Sequence, residues 1–285
     1  MKVLILGAGG QLGRELCKAV PKHVDLVATH SGEVNIVDAA QLAKKIADEN
    51  PAVVINAAAY TQVDKAEAES AQAWAVNNGG VRNLIATTAA TTRLIHISTD
   101  FVFDGVATLP YLPAAPVSPL SVYGCSKQAG EQELLKNAGD RSCIVRTAWL
   151  YSELGKNFVN TMLALMASKD EIKVVDDQRG TPTSVASLAA VVWRLVERPD
   201  LRGVYHWTDG GETSWYGFAC EIQRLGLQYG LLQRLIPMLP IATAQYPTAA
   251  RRPSYSVLDI TATCEALQIS PAAWQLELAK VLKNR

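Results

Sequence analysis

The first 150 residues alternate short apolar runs with longer stretches of helix-forming composition, and this alternation constrains the fold more than any other feature. Runs of this length that are rich in β-branched side chains are typical of strands, and the longer stretches between them are typical of helices. The predicted strands are residues 2–6, 25–29, 53–56, 93–98 and 142–146. The predicted helices are residues 11–20, 38–49 with Asp38 as N-cap, 70–90 and 122–136.

The predicted strands are apolar nearly throughout, whereas a half-exposed strand would alternate apolar with polar residues. Strands of this kind are typical of a parallel sheet that helices cover on both faces. A chain with 49% hydrophobic and only 19% charged residues can bury the full core that such a sheet requires. The sequence therefore predicts an α/β fold with a doubly wound parallel sheet.

After about residue 150 the alternation is looser. Residues 157–167 and 184–197 have helical patterns, and residues 172–175 and 204–207 read as strands. Because no repeat, low-complexity tract or Gly/Ser linker intervenes, we expect residues 151–285 to form a smaller C-terminal region packed against residues 1–150. A junction between two such parts is a common place for a substrate cleft.

Charge and cysteine content exclude several classes of function. The 27 basic residues balance the 27 acidic residues, so no overall positive field would attract nucleic acid. The first apolar run ends at Gly7, which is too early for a secretory or membrane-spanning segment. The five cysteines are odd in number, scattered and without a C-x-x-C pair. We expect a cytoplasmic protein with reduced thiols and with neither nucleic-acid nor membrane partners.

Three glycines, Gly7, Gly10 and Gly13, follow directly after the first strand and extend into the opening of the first helix. Glycine permits the tight turn, lets a pyrophosphate approach backbone N–H groups and allows the helix to pack closely on the sheet. The spacing differs from G-x-G-x-x-G because Leu12 occupies the last glycine position of that pattern. In its strand–turn–helix context the loop predicts a Rossmann domain, residues 1–150, that binds a nicotinamide dinucleotide.

The end of the second strand bears on the choice of cofactor. Many NAD sites place a carboxylate there to hold the ribose 2′-hydroxyl, but this strand ends in Ala28-Thr29-His30. Arg14 and His30 are nearby in sequence, and no obvious carboxylate would repel a 2′-phosphate. The sequence leaves open whether the cofactor is NADPH, NADH or both.

Tyr123 and Lys127 form a Y-x-x-x-K pattern, which places both side chains on one face of the fourth predicted helix. Reduction of a carbonyl by hydride also requires a proton, and a tyrosine supplies one more readily when a nearby ammonium stabilises the phenolate. We therefore expect Lys127 to lower the pKa of Tyr123. Alone, this spacing is more often a solvated helix face, but a dinucleotide loop upstream favours the catalytic interpretation.

A hydroxyl at the carboxyl end of the fourth strand would be well placed to bond the substrate oxygen, because ligands lie outside that edge of a parallel sheet. Ser98 and Thr99 both stand there, and Asp100 follows them. From position alone, either hydroxyl could simply cap the strand end.

Several motifs together are similar to the dTDP-4-dehydrorhamnose reductase family of the extended short-chain dehydrogenases/reductases. The motifs are Gly7-Ala8-Gly9-Gly10-Gln11-Leu12-Gly13, Val54-Ile55-Asn56-Ala57-Ala58-Ala59-Tyr60-Thr61, Val63-Asp64-Lys65-Ala66-Glu67, Ser98-Thr99-Asp100-Phe101-Val102-Phe103-Asp104-Gly105, Tyr123-Gly124-Cys125-Ser126-Lys127, Arg146-Thr147-Ala148-Trp149 and Asp177-Gln178-Arg179-Gly180-Thr181-Pro182-Thr183. The resemblance implies NAD(P)H-dependent reduction of the C4 carbonyl of dTDP-4-dehydro-L-rhamnose, in the synthesis of a cell-surface polysaccharide precursor.

The resemblance also implies roles for particular residues. The catalytic set corresponds to Thr99, Tyr123 and Lys127, and the substrate also meets Asp100 and Trp149. The cofactor side corresponds to Gly7, Gly10, Gln11, Leu12, Gly13, Asn35, Ile36, Ala57, Ala58, Ala59, Tyr60 and Thr61, together with Tyr123 and Lys127. Two positions depart from the family pattern: Asn35 stands where Asp is common, and Phe101 replaces a Tyr.

Two further expectations concern the substrate and a metal. We expect Arg179 and Arg252 to bind the diphosphate of the sugar nucleotide, because guanidinium groups hold phosphate in bidentate fashion. Some family members bind magnesium at a dimer contact, and Glu15 matches one of those acids. Residues 182–186 do not carry the second acid, so we expect no metal here. The sequence leaves open whether the chain forms a homodimer.

Two alternatives stand beside the reductase. The beta subunit of methionine adenosyltransferase resembles this family and keeps the fold as a non-catalytic regulatory module, although the intact Thr99, Tyr123 and Lys127 argue against that reading. A nucleotide-sugar epimerase or dehydratase of the same superfamily would instead retain its nicotinamide through the cycle. Cofactor retained by the purified protein would distinguish these enzymes from a reductase.

Overall fold

A computed structural model describes residues 1–285 and has a six-stranded parallel sheet at its centre. Its first five strands are β1 (Lys2–Leu6), β2 (Asp25–Thr29), β3 (Val53–Asn56), β4 (Arg93–Thr99) and β5 (Ser142–Thr147). The spatial order is β2-β1-β3-β4-β5, so the order reverses at β1 and leaves a crevice between the ends of β1 and β3. The predicted strands and the doubly wound parallel fold are confirmed.

Helices cover both faces of this sheet. The first five are α1 (Gln11–Lys18), α2 (Ala39–Glu49), α3 (Val63–Ala68), α4 (Ser70–Trp74) and α5 (Gly80–Thr87), and α6 (Val122–Ala138) follows β4. The Asp38 side chain accepts hydrogen bonds from the backbone N–H groups of Ala40 and Gln41, which confirms the predicted N-cap of α2. The short helix α3 is not part of the sequence prediction.

The predicted helix over residues 70–90 is interrupted. A π-helical turn, Ala75–Gly79, separates α4 from α5. Its buried Asn77 donates to the carbonyl of Tyr60 and to the hydroxyl of Ser126, and accepts from the backbone N–H of Tyr60. The turn therefore aims one amide at both the loop after β3 and helix α6, which helical periodicity alone does not predict.

The second half of the chain contributes to the central sheet as well as to a smaller unit. Its elements are β6 (Leu150–Tyr151), α7 (Phe158–Ser168), β7 (Ile172–Val175), β8 (Arg179–Gly180), β9 (Thr183–Ser184), α8 (Val185–Val196), β10 (Gly203–His206), β11 (Thr213–Ser214), α9 (Trp215–Gln228), β12 (Met238–Ile241), α10 (Thr261–Leu267) and α11 (Trp274–Lys283). Strand β10 pairs with β5 as the sixth strand of the sheet. Helix α8 packs on α1, where the Trp193 indole donates to the Leu16 carbonyl.

The smaller unit has its own apolar core, formed mainly by α7, α9, α11 and β7. Three short strand pairs, β7 with β12, β8 with β11 and β6 with β9, form separate two-stranded sheets outside the central sheet. The five cysteines are all free. None of the helices is both long enough and apolar enough to span a membrane.

Candidate active site

The glycine loop has the geometry that a bound pyrophosphate requires. Gly7 has φ +87°, and a Cβ at this position would lie 2.6 Å from the backbone nitrogen of Ala58. A Cβ on Gly13 would lie 2.3 Å from the carbonyl oxygen of Gly7. Both positions therefore require glycine, the first for its left-handed backbone and the second for close contact between α1 and the loop.

The N-terminus of α1 is free to receive an anion. Gly10, the N-cap, has no side chain to occupy the first N–H groups, and the first turn contains no acidic residue. A groove of about 420 Å³ opens at this end of the helix, lined by Gly10, Gln11 and Thr61 and, from the other half of the chain, by residues 152–156. The glycine loop and the groove at the N-terminus of α1 therefore fit the diphosphate of a nicotinamide dinucleotide.

We expect Gly13→Ala to destabilise the protein. Overpacking costs roughly 1–3 kcal/mol. Alanine has a better helix propensity than glycine, worth about 1 kcal/mol. A Cβ only 2.3 Å from a backbone oxygen should cost more than this gain. Urea unfolding measures the change in the free energy of unfolding. Gly9→Ala is the matched control, because its Cβ would lie 3.4 Å from the Cβ of His30, an ordinary contact. Equal stability of the two variants would contradict the packing account.

The other residues predicted on the cofactor side differ in accessibility. Leu12 and Ile36 are buried in the apolar core, so only their backbone is available to a ligand. Asn35 is exposed, and its side chain accepts from the backbone N–H of Val37. The segment from Ala57 to Ala59 is half-buried and continues β3 toward the crevice beside Gly7.

Tyr60 and Thr61 follow at the same edge. Thr61 is exposed in the groove at α1, whereas Tyr60 is buried. The Tyr60 phenol donates to Glu69 at 2.5 Å. This hydrogen bond, with burial second, raises the pKa of Tyr60 to about 12. Tyr60 therefore lies at the crevice as a neutral phenol with its proton already engaged.

The carboxyl end of β4 brings three predicted residues together. Thr99 donates to Asp100 at 3.0 Å and accepts from the backbone N–H of Phe101 at 3.1 Å. Tyr123 lies beside them, with the ring of Phe101 packed edge-on at 5.7 Å. Ser98 is buried and its hydroxyl has no partner. Of the two hydroxyls at this strand end, Thr99 is therefore the one positioned next to Tyr123.

Burial is the main influence on the pKa values of Tyr123 and Asp100. Burial raises the pKa of Tyr123 to about 12, and a hydrogen bond with the Thr99 hydroxyl only partly opposes this rise. Burial likewise raises the pKa of Asp100 to about 6. The expectation that Lys127 lowers the pKa of Tyr123 is wrong for the protein without cofactor, because the desolvation of the phenol prevails. The phenol keeps its proton throughout the neutral range.

Lys127 is almost completely buried one helical turn from Tyr123, and it points at β4. Its Nζ donates to the carbonyl of Ile97 at 2.6 Å and lies 3.2 Å from Nε2 of His96. Burial lowers the pKa of Lys127 to about 8. The structure thus places Tyr123 and Lys127 on one face of α6, as the spacing predicts, and adds His96 as a contact of the lysine.

A third residue on the same face of α6, Glu131, fixes the helix to the sheet. Glu131 forms a buried ion pair with Arg146 of β5 at 2.6 Å. At the other end of the helix, Glu67 accepts from the backbone N–H of Val122 at 2.9 Å. The i, i+4, i+8 spacing of Tyr123, Lys127 and Glu131 was available in the sequence and could have indicated Glu131.

Trp149 lies beyond β5 at the same edge of the sheet, since Thr147 pairs with Thr99. It has φ +46°, which is rare for a bulky residue. Its ring stacks on Trp215 with centroids 3.5 Å apart, and a Cβ on Gly180 would come within 2.6 Å of it. Strain of this kind persists only when packing holds it, and it is commonest at functional sites.

A cavity of about 400 Å³ lies beside this aromatic stack. Trp215, Gln178, Lys173, Tyr246 and Arg252 are among its lining residues. Of the two predicted diphosphate ligands, only Arg252 lines this cavity. Arg179 is exposed and instead pairs with Glu212 at 2.6 Å. Sequence reasoning missed Trp215, for which the preceding Ser214 N-cap was the only local signal.

Arg252 also joins the two halves of the chain. Its guanidinium makes a bidentate ion pair with Asp64, with distances of 3.0 and 2.7 Å. Asp64 also accepts from the backbone N–H of Ala250 at 3.2 Å. The pair holds the guanidinium at the cavity and leaves its Nε–H without a hydrogen-bond partner.

Glu15, the residue that matches a magnesium ligand of some family members, lies on α1. Its carboxylate is 3.9 Å from the ammonium of Lys18. No group of three or more His, Cys, Asp or Glu side chains in the chain could hold a metal ion.

Comparison with known proteins agrees with this geometry. The family described as "RmlD substrate binding domain" matches residues 1–285. A dTDP-4-dehydrorhamnose reductase of Aggregatibacter actinomycetemcomitans is 39% identical over 291 residues, covering 99% of this chain and 97% of that protein.

Solved structures agree as well. A dTDP-4-dehydrorhamnose reductase of Clostridium acetobutylicum superposes with a TM-score of 0.92 at 39% identity, covering 100% of this chain and 99% of the other. The Bacillus anthracis enzyme of the same name, solved in complex with NADP, has a TM-score of 0.93 at 33% identity, with 100% and 99% covered. With sequence and fold matched over its full length, this chain belongs to the dTDP-4-dehydrorhamnose reductase family.

Proposed function

We propose that this protein uses NADPH or NADH to reduce the C4 carbonyl of dTDP-4-dehydro-L-rhamnose, giving dTDP-L-rhamnose. The observation that carries the proposal is the group at the carboxyl end of β4. There a protonated phenol, Tyr123, lies beside the Thr99 hydroxyl, with Lys127 on the same helix face. Relatives that bear the reductase name over nearly the whole length support the same substrate.

The residues of the chain divide the chemistry between them. The bound nicotinamide supplies a hydride to C4 of the substrate. Tyr123 donates its phenolic proton to the C4 oxygen, so the carbonyl becomes an alcohol. Thr99 would turn its O–H from Asp100 to that oxygen and orient it by a hydrogen bond, while Lys127 binds the nicotinamide ribose and stabilises the phenolate. Solvent then restores the proton of Tyr123.

We assign the remaining groups around this centre by what they offer a ligand. The free N-terminus of α1 and the loop from Gly7 to Gly13 bind the cofactor diphosphate, and the segment from Ala57 to Thr61 borders its nicotinamide half. Strand β2 ends at Thr29 and is followed by His30, so no carboxylate at this strand end selects NADH over NADPH. The complex of a relative with NADP supports a nicotinamide cofactor.

The nucleotide sugar binds mainly to residues 151–285 in this proposal. The cavity beside Trp149 and Trp215 offers aromatic faces for a base, and Arg252 and Lys173 offer cations for a diphosphate. Asp100 and Trp149 contact the sugar at the sheet edge. Arg179 would join them only by leaving Glu212. The five free cysteines favour a reducing, cytoplasmic setting for the reaction.

The direct test is oxidation of NAD(P)H, followed by its absorbance, with dTDP-4-dehydro-L-rhamnose as substrate. We expect turnover with stoichiometric formation of dTDP-L-rhamnose and a purified protein that holds no cofactor. A protein that retains nicotinamide and interconverts sugar nucleotides without net oxidation would be an epimerase or dehydratase. A protein that binds NAD(P)H but turns over no sugar nucleotide would match the regulatory-subunit alternative.

Arg252→Ala is expected to weaken binding of the sugar nucleotide. A hydrogen bond between charged groups contributes about 1.5–3 kcal/mol, so KM for the sugar nucleotide should rise roughly 10- to 100-fold. KM for NAD(P)H should hardly change. Steady-state kinetics with each substrate varied in turn measures both values. The matched control is Arg251→Ala, because Arg251 is exposed and does not line the cavity. Equal effects on both KM values would reject the assignment.

A further inference from the structure

A chain of hydrogen bonds runs from the loop after β3 to Lys127. The backbone N–H of Ala58 donates to Oδ1 of Asn56 at 3.2 Å. Nδ2 of Asn56 lies 3.1 Å from Nδ1 of His96, and Nε2 of His96 lies 3.2 Å from Nζ of Lys127. His96 and Asn56 are both almost fully buried, so water does not supply alternative partners.

The direction of this chain follows from its first bond. A backbone N–H can only donate, so the Asn56 atom that faces Ala58 is the carbonyl oxygen, and the atom that faces His96 is the amide nitrogen. Nδ1 of His96 must then accept, which places the ring proton of the neutral imidazole on Nε2. Nε2–H can only donate to Lys127, and an ammonium has no lone pair to accept that bond.

A charged His96 does not resolve the conflict. Burial, with the Lys127 charge second, lowers the pKa of His96, so the ring is neutral. A neutral Lys127 amine does resolve it, since it accepts from Nε2–H of His96 and still donates to the carbonyl of Ile97.

The other ionisable groups around Lys127 have partners of their own or do not oppose this arrangement. On α6, Glu131 favours the ammonium but is neutralised by Arg146 of β5, and Tyr123 is a neutral phenol. Beyond β4, Asp100 accepts from Thr99. The acids of the segments packed against α6 are engaged elsewhere: Asp64 with Arg252, Glu67 with Val122 and Glu69 with Tyr60.

We propose that His96 is a positioning residue that holds Lys127 as a neutral amine while no cofactor is bound, and that Lys127 takes up a proton from solvent when a nicotinamide ribose offers it hydroxyl acceptors. Binding of the cofactor would thereby charge the group that stabilises the phenolate. This inference rests on the cofactor half of the proposed function and is independent of which sugar nucleotide is reduced.

The test is a pH titration of Lys127 followed by NMR of protein labelled with ¹³C at lysine Cε, with Lys127→Met used to assign the resonance. In the protein without cofactor, we expect a midpoint below neutral pH, because Nε2–H of His96 opposes the ammonium in addition to burial, which by itself lowers the pKa of Lys127 to about 8. Saturation with NADPH in the absence of sugar nucleotide, which offers the ribose hydroxyls without the positive charge of an oxidised ring, should raise the proton affinity of Lys127 about tenfold or more.

His96→Gln separates hydrogen-bond direction from burial. A glutamine can turn its oxygen toward Lys127 and accept from an ammonium, so the proton affinity of Lys127 in the protein without cofactor should also rise about tenfold. Asn56→Asp, should the first variant not fold, reverses the tautomer of His96 and predicts the same direction. His206→Gln is the matched control, because His206 is a buried histidine of the same sheet that contacts Arg146 and not Lys127.

An unchanged titration in His96→Gln would show that burial alone governs Lys127 and would overturn the positioning role. A midpoint that NADPH leaves in place would overturn the proton uptake. NADPH binding with both effects present, but without reductase activity, would leave this inference standing while removing the proposed substrate.

Discussion

Tyr123→Phe should lower kcat roughly 10²- to 10⁴-fold, the range that general acid catalysis typically contributes. The substitution deletes only the hydroxyl, so the edge-on packing against Phe101 is kept. Because the phenol is buried and its pKa is raised to about 12, it keeps its proton at neutral pH and can donate it to a substrate oxygen beside Thr99. Pre-steady-state reduction of the C4 carbonyl by NAD(P)H measures the chemical step directly.

Affinity for NAD(P)H should change little in this variant, which fluorescence titration of the cofactor checks. Tyr111→Phe is the matched control, since Tyr111 is also a buried phenol with a raised pKa but donates to Asp104. We expect its kcat to stay within a few-fold of wild type, because its proton does not reach substrate. Wild-type turnover by Tyr123→Phe would remove Tyr123 from the mechanism.

Lys127→Met should impair both catalysis and cofactor binding. Loss of one preorganised charged donor costs roughly 10²- to 10³-fold in kcat, and the lost ribose contact should raise KM for NAD(P)H. The methionine stem fills most of the volume of the lysine stem, so the buried site between α6 and β4 is not left empty. Stopped-flow measurement of hydride transfer and of cofactor binding separates the two effects.

The pH dependence gives this prediction a second readout. Burial lowers the pKa of Lys127, and activity requires the protonated form, so kcat/KM for NAD(P)H should fall as pH rises through the midpoint that the NMR titration of the free protein gives. Lys127→Met has no such proton to lose, and its residual activity should not fall in this range. A variant with weaker cofactor binding but the wild-type alkaline limb would make Lys127 a ribose ligand only.

Much of the site could be predicted because its signals are local in sequence. The five strands, the Gly7-to-Gly13 turn and the Asp38 cap each depend on residues a few positions apart, whose backbone preferences are nearly independent of the rest of the chain. The same holds for Tyr123 and Lys127, which helical periodicity alone places on one face. Buried polar residues in apolar strands, Asn56 and His96, were also visible in the sequence but had no assigned partner.

The division near residue 150 shows the limit of that reasoning. The assignment of the cofactor to residues 1–150 and of the sugar nucleotide to residues 151–285 stays a prediction. In the fold, however, β10 pairs with β5 and α8 packs on α1, so both parts of the chain contribute to the central sheet and its helices. Local patterns identify a strand but not its neighbours, because strand pairing depends on long-range packing.

Sequence alone therefore determined the α/β class, the glycine turn after β1 and the spacing of Tyr123 and Lys127. Tertiary structure alone decided that Arg252 meets Asp64 across 188 residues, that Trp149 stacks on Trp215, and that Lys127 contacts His96. It also decided that the pKa of Tyr123 rises, where charge reasoning predicted a fall. The physical reason is that burial and long-range contacts are properties of the packed chain, and desolvation in that packing outweighs what any local pattern of charges can indicate.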